Sequence, residues 1–189
     1  MQAELTREEL GAALREHAYL EGDFLLRSGK RSRYYLDKYR FETRPDLLGP
    51  LGERIAEAVA EHEPEAVRLA GPELGAVPLA AAASLASGLP FVIVRKEAKE
   101  YGTANRLEGV FEPGEKVCLV EDVVTSGGAA VSAIEALREA GLTCRTAVCV
   151  VDREEGGAAA LADVAVRLLP LFRAKELVGL EKPPEKRDG

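Results

Sequence analysis

The sequence predicts an α/β protein with a central parallel sheet flanked by helices. Three observations carry that expectation. From Ala66 onward, short apolar runs rich in β-branched residues alternate with helical runs. That is the rhythm of βα units whose strands are buried on both faces. Four unusual loops follow those strands: Gly71–Gly75, Arg95–Gly109, Glu121–Gly128 and Asp152–Gly157. In open parallel sheets ligands bind at the C-terminal strand ends, so these loops should converge on one crevice. Finally, 189 residues suit a single domain with a full core.

Taken in order, Thr6-x-x-Glu9 forms a capping box, with Leu5, Leu10 and Leu14 at helical spacing around it. This helix should end near His17. Phe24-Leu25-Leu26 and Tyr34-Tyr35-Leu36 read as two strands of a hairpin, joined by the turn Arg27–Lys30. Thr43 is placed to cap a long helix whose first turn holds Pro45. Leu47, Leu51, Ile55 and Val59 mark its buried stripe. Strands are expected at Ala66–Ala70, Phe91–Val94, Val117–Val120, Thr146–Val151 and Val164–Leu169. Helices are expected at Pro78–Ser87, Ala129–Ala140 and Gly157–Ala162, and the charged tail Glu181–Gly189 should fray.

The chain is 47% hydrophobic and 30% charged, as ordinary globular proteins are. Its net charge of −7 argues against general nucleic-acid binding. No apolar run reaches the roughly 20 residues that span a bilayer, and the charged helical N-terminus is no signal peptide. Cys118, Cys144 and Cys149 form no CxxC or zinc spacing. They read as buried free thiols, which suits a reducing cytoplasm. One segment breaks the acidic balance. Arg27–Arg44 holds seven basic and two acidic residues, so the remainder carries −12. Two readings stand: a hairpin edge protected from aggregation by charge, or a lid over an anionic ligand with tyrosines to stack on a flat ring.

The most informative stretch is Lys116–Ala129, KVCLVEDVVTSGGA. An apolar strand delivers Glu121 and Asp122 to its C-terminal end, and Thr125-Ser126-Gly127-Gly128-Ala129 then opens a helix. Such a turn offers backbone N–H groups, hydroxyls and close approach to a phosphate. The adjacent acids must serve something else, either ribose hydroxyls or a metal ion. The patterns GxxxxGK[ST] and GxGxxG are absent, which excludes the standard triphosphate and dinucleotide sites. Arg95–Gly109, RKEAKEYGTANRLEG, is cationic and carries glycines at 102 and 109. Its composition suits a closing loop over a leaving anion, or a mixed-charge surface loop. Arg153, at the end of a strand, could grip a carboxylate with its planar fork or form a surface ion pair.

The run VEDVVTSGGA (Val120–Ala129) resembles the 5-phosphoribosyl-1-pyrophosphate (PRPP) signature of type I phosphoribosyltransferases. Together with FLLRSGKRSRYYLD (Phe24–Asp37), GPELGAVP (Gly71–Pro78), RKEAKEYG (Arg95–Gly102) and VDREEGG (Val151–Gly157), it makes the chain similar to the orotate phosphoribosyltransferases. The likeness runs from Phe24 to about Leu177. It implies the type I phosphoribosyltransferase fold in one domain over 1–180, with a small hood built mainly from 1–43 and the C-terminal segment. It also implies transfer of phosphoribose from PRPP to orotate, with Mg²⁺ carried by PRPP and no direct side-chain ligand to the metal. The partner it implies is a second copy of the chain, sharing the 95–109 loop across the interface.

The resemblance assigns roles residue by residue. Val123, Val124 and Thr125–Ala129 should bind PRPP, with Thr125, Ser126, Gly127, Gly128 and Ala129 holding the 5′-phosphate. Glu121 and Asp122 should hold the ribose hydroxyls and act with Lys99 in catalysis. Lys99, Arg95 and Lys96, with Tyr101 beside them, should meet the diphosphate. Arg153 should bind the carboxylate of orotate, and Arg27, Tyr35 and Thr125 should also meet orotate. Three positions depart from the best-known bacterial pattern. Gly75 replaces a lysine found in some members, Tyr101 a histidine, and Arg27 a lysine. Two other functions fit the PRPP signature. One is transfer to a purine or other base; the other is a non-catalytic PRPP-sensing regulator.

Overall fold

The structure is a computed structural model that describes residues 5–25, 29, 31–97 and 106–179. Helix α1 (Arg7–Ala18) begins with the expected capping box, in which Thr6 and Glu9 satisfy each other's end of the first turn. Strands β1 (Tyr19–Leu25) and β2 (Arg31–Leu36) form the antiparallel hairpin. A single turn, α2 (Tyr39–Glu42), leads to the long α3 (Pro45–His62). Next come β3 (Arg68–Pro72), α4 (Ala76–Ser87), β4 (Phe91–Val94) and the short β5 (Leu107–Glu108). The last part runs β6 (Lys116–Val124), α5 (Gly128–Glu139), β7 (Thr143–Asp152), α6 (Gly157–Asp163), β8 (Arg167–Arg173) and α7 (Ala174–Gly179).

Six strands make the main sheet, in the order β5-β4-β3-β6-β7-β8. All neighbours run parallel except β4 and β5, which pair antiparallel. The order reverses between β3 and β6. From β3 the chain crosses to β4 on one side; from β6 it crosses to β7 on the other. That reversal leaves a crevice at the C-terminal ends of β3 and β6, where open α/β sheets bind ligands.

Alternation along β6 decides which layer each residue joins. Cys118 and Val120 pack into the core beneath α1, α3 and α4. Val117 and Leu119 pack into the core beneath α5 and α6. The α3 stripe expected from sequence is fully formed, with Leu47, Leu51, Ile55 and Val59 at most 2% exposed. Each such side chain contributes roughly 1.5–3 kcal/mol by burial. The chain ends meet across α1: Arg7 donates to the Leu171 carbonyl at 2.9 Å and to Glu176 at 2.8 Å, and Arg15 donates to the Leu177 carbonyl at 3.1 Å.

The structure corrects several expectations. Thr43 does not cap α3; its hydroxyl donates to the Tyr39 carbonyl at 2.6 Å and closes α2 instead. Pro45 occupies the first helical position, so the cap falls on Arg44, which makes no side-chain cap bond. Strand β6 does not stop at Val120. The ladder with β7 continues through Glu121↔Cys149 and Val124↔Asp152, so both acids lie within the strand. The last strand begins at Arg167 and not at Val164, because Val164 ends α6 and Ala165 follows at a φ of +57°. The Arg95–Gly109 segment, expected to be wholly loop, contains β5 near its end. The expected tail 181–189 lies outside the described residues.

Helices α3 and α4 approach closely at Gly52. A Cβ there would lie 2.7 Å from both the Cβ and the carbonyl carbon of Ala82, whereas one at Gly49 would meet nothing within 4 Å. Gly52→Ala should therefore destabilise the fold by about 1–3 kcal/mol through overpacking. Gly49→Ala, on the same helix, should stabilise it by about 0.4–1 kcal/mol. Urea unfolding midpoints for the two variants check the contrast.

Candidate active site

A cavity of about 310 Å³ opens at the β3/β6 switch point. Its floor is Glu121–Val124, and the loop Thr125–Ala129 and the segment Pro72–Gly75 form its walls. Lys38, Tyr39 and Lys96 complete the lining. Helix α5 starts at this wall. Gly127 takes a φ of +84° to enter it, and Thr125, Ser126, Gly128 and Ala129 are exposed there. The first-turn N–H groups of a helix with no side-chain cap thus face a concave surface, the arrangement that suits a phosphate.

The acids stand on opposite sides of β6. Asp122 follows the parity of Cys118 and Val120 and reaches the α2 side. There its Oδ2 accepts from the Lys38 ammonium at 2.5 Å, while its Oδ1 accepts from the Val123 N–H at 2.5 Å. Lys38 and Glu42 are four residues apart, one helical turn, and so share a face of α2. Glu42 is 2% exposed, and its Oε1 has no hydrogen-bond partner. Glu121 is 6% exposed, and its Oε1 also lacks one. Burial, then the charge of Asp122, pushes the Glu121 carboxyl up to about 8. Burial and then Asp122 push Glu42 to about 8 as well, against the pull of Lys38. Burial, the largest single influence on Lys38, works to lower its pKa, but the hydrogen bond and charge of Asp122 outweigh it and the net shift is upward.

Gly75 faces this cluster at contact distance. A Cβ there would overlap the Asp122 Oδ2 and fall 2.8 Å from both Glu42 Oε1 and the Lys38 Nζ. On the far side of the cavity, Gly157 supports the loop Thr125–Ala129, whose N–H groups and hydroxyls make it a donor loop. Its Cβ position overlaps Val124 Cγ1 and lies 2.7 Å from the Thr125 carbonyl oxygen. The paired glycines of DREEGG therefore let α6 press against the turn Thr125–Gly127.

Comparison with known proteins agrees with this geometry. A family model described as the phosphoribosyl transferase domain matches residues 50–169. The orotate phosphoribosyltransferase of Methanocella arvoryzae is 53% identical over 158 residues, covering 84% of this chain and 89% of that protein. The one from Halobacterium salinarum is 49% identical over 175 residues, covering 92% of this chain and 98% of that protein. The chain belongs to the orotate phosphoribosyltransferase family. A crystal structure of the orotate phosphoribosyltransferase of Mycobacterium tuberculosis shares its fold, with a TM-score of 0.81 at 30% identity over 90% of this chain and 98% of that one.

Of the site residues that family likeness assigns, Glu121, Asp122, Val123, Val124, the five residues Thr125–Ala129 and Lys96 all line the cavity. Arg95 lies next to it and pairs with Glu108 at 3.5 Å, its backbone N–H donating to the Arg106 carbonyl at 2.7 Å. Lys96 is fixed by its backbone N–H, which donates to Glu73 at 2.7 Å. Tyr35 and Arg153 do not line the cavity. Tyr35 is on the hairpin, tilted against Phe24 with ring centroids 5.6 Å apart. Arg153 pairs with Glu155 at 2.9 Å and lies over the Tyr34 ring at 5.4 Å, and Tyr34 in turn stacks on Tyr19. The Arg153 Nε is buried with no partner, which leaves one donor of its fork free. Arg27, Lys99 and Tyr101 lie outside the described residues. The fourth expected loop, Asp152–Gly157, supports the donor loop from behind and contributes no lining residue.

Sequence reasoning missed Lys38 and Glu42. Their spacing within the basic island is the available signal; their meeting with Asp122, 84 residues further on for Lys38, leaves none. A larger hollow of about 490 Å³ lies between α3 and the end of α4, lined mainly by small and apolar residues with Glu53, Glu57 and Glu63. It gathers no converging donors of the kind the switch-point cavity holds.

The two raised acids make stability pH-dependent. Each holds a proton in the folded chain between its ordinary value of 4.5 and its folded value of about 8, whereas the unfolded chain has lost it. Their contribution is then full below the lower pH and is lost as pH rises toward the upper one. The urea midpoint should fall between about pH 5 and 8, and Glu121→Gln, which needs no proton, should reduce that fall.

Proposed function

We propose that this chain transfers the phosphoribosyl group of PRPP to orotate, forming orotidine 5′-monophosphate and diphosphate in pyrimidine biosynthesis. The observation that carries the reading is one cavity in which an uncapped helix start faces a buried acid pair. A phosphate, a ribose and a leaving diphosphate need such an order of donors, carboxyls and cations. The 5′-phosphate rests on Thr125–Ala129. The ribose lies over Glu121 and Asp122, whose carboxyls take its hydroxyls. The diphosphate points toward Lys96, with Arg95 and Lys99 from the following loop. Arg27, Tyr35 and Arg153 close on orotate from the hairpin side, and the packed chain ends form the hood.

The ring nitrogen of orotate loses its proton readily, so no strong base is needed. The C1′–oxygen bond to diphosphate breaks, its electron pair leaving with the diphosphate. The deprotonated nitrogen then supplies the pair for the new C1′–N bond. Asp122 stabilises the cationic ribose between these events, and the lysines stabilise the charge gathering on the leaving group. Lys38 stands against Asp122, and Mg²⁺ enters as a counter-ion of PRPP. The active unit is a homodimer that exchanges the 95–109 loop, and its compartment is the cytoplasm. Among the described residues no helix is long and apolar enough to cross a membrane.

Mixing the protein with orotate, PRPP and Mg²⁺ should consume orotate, read as loss of its ultraviolet absorbance. Bound PRPP without loss of orotate would instead favour a regulator, and turnover of adenine or hypoxanthine a purine enzyme. Lys99→Ala should lower kcat by about 10²-fold or more with the melting temperature unchanged. Arg153→Ala should raise the KM for orotate by roughly 10- to 100-fold with little change for PRPP, as expected for loss of a charge-assisted pair. Equal losses for both substrates would refute its role at the carboxylate.

A further inference from the structure

Gly75 and Lys38 pose one question together. The α4 entry presses so closely on the end of β6 that a single methyl at residue 75 would overlap the Asp122 carboxylate and lie 2.8 Å from the Lys38 ammonium. The space beside Asp122 is therefore already filled by a cation delivered from α2. Asp122 is 6% exposed at its side chain, but Lys38 is 34% exposed, so the ammonium reaches the cavity while its partner stays buried. An ammonium has three donors. One is used on Asp122; the nitrogen lies 5.4 Å from the Tyr39 ring centroid, and Lys38 and Tyr39 both line the cavity. Beneath it, Glu42 is buried on the same face of α2 and adds a second carboxyl near the ammonium.

Position within the cavity narrows what those donors meet. The donor loop Thr125–Ala129 lies on one side of the acid pair, and Pro72–Gly75 with Lys96 lies on the other. Lys38 is on the Gly75 side. A ribose over Glu121 and Asp122 with its 5′-phosphate on the donor loop directs its C1′ substituent toward Gly75 and Lys38.

We infer that Lys38 is a substrate-binding residue of the phosphoribosyl site: its ammonium, held by Asp122 at the cavity wall, binds the diphosphate end of the donor. Gly75 is glycine because that ammonium and its carboxylate occupy the place of a side chain. The inference rests on the reading of the site as a PRPP site, and it adds to that reading a cation drawn from a different element.

The test uses the full chain with Lys38→Met, which keeps the length and loses the charge, and Lys38→Arg, which keeps the charge. Calorimetry with inorganic diphosphate and Mg²⁺ measures binding without catalysis, and steady-state kinetics give separate KM values for PRPP and orotate. Lys38→Met should weaken diphosphate binding and raise the PRPP KM by roughly 10- to 100-fold, the scale of one charged hydrogen bond. The orotate KM should stay within about twofold, and Lys38→Arg should recover most of the loss. Wild-type diphosphate affinity in Lys38→Met would overturn the assignment. So would equal losses for both substrates, accompanied by a lower melting temperature and not rescued by arginine. Should Lys38→Met fail to fold, Lys38→Gln, which also removes the charge and keeps a polar end, tests the same contact: weakened diphosphate binding supports the assignment and unchanged binding overturns it. If the wild-type chain binds diphosphate through Lys38 but consumes no orotate, the reaction assigned above fails while the role of Lys38 stands.

Discussion

Strand β6 is buried on both faces and carries two adjacent carboxyl groups near its C-terminal end, and much of the site is arranged around that constraint. A buried ionised carboxylate is costly unless it is paired or neutralised. Alternation sends the two acids to opposite sides of the sheet, so each meets a different solution. Asp122 is paired with Lys38 and the Val123 N–H. Glu121 is left with an unpartnered oxygen, and burial raises its carboxyl to about 8. The strand can carry acids this far because β7 continues to pair with it up to Asp152.

The pairing has consequences well beyond β6. Lys38 must arrive from α2, which fixes the turn between the hairpin and α3. Glycine must stand at 75, since any side chain would displace the pair. A comparable constraint operates at the other wall. Gly157 has no room for a Cβ against Val124 and Thr125, and Gly127 has little against Gly157 and Ala160. The donor loop is therefore held between the start of α5 and the start of α6. This gives the glycines of DREEGG a mechanical meaning independent of Arg153, which leaves that segment toward the hairpin and lies over Tyr34.

The parts of this arrangement that are legible in the sequence are contiguous. The capping box at Thr6, the α3 stripe, the alternation of strands and helices, and the run from the acids to Gly128 each lie within one short window, where periodicity and residue type act directly. What escapes depends on a partner remote in the chain. The end of β6 cannot be placed at Val124 from sequence, because acidic residues are poor strand formers alone and only the β7 ladder retains them. Thr43 reads as a cap because the proline rule allows two neighbouring start positions, and the short α2 decides between them. Lys38 and Glu42 sit, not singled out, within a basic island that reads either as a charged hairpin edge or as a lid over an anionic ligand. Their role follows from a contact with Asp122 that no local pattern encodes. Resemblance assigns Tyr35 and Arg153 to the same site; in the structure they belong to the hairpin side and outside the cavity's lining.

An acid pair in a site for a polyanionic sugar runs against simple charge complementarity, but the arrangement of partners resolves it. With Glu121 and Glu42 both favouring their protonated forms up to about pH 8, much of the acid cluster's negative charge is suppressed at neutral pH. What remains beside the cavity floor is the Lys38–Asp122 pair, which presents little net charge to an approaching anion. Groups suited to phosphate flank this centre on either side, with backbone N–H groups at α5 and the cations Lys38 and Lys96 beside Gly75. A sugar bearing phosphates at both ends can then lie across the cavity with its charges over the donors and its hydroxyls over the carboxyls. A free phosphate or diphosphate satisfies one flank alone. The spacing of the two flanks across β6, set by the sheet order at the switch point, therefore suits a ligand with a polar uncharged middle and anionic ends.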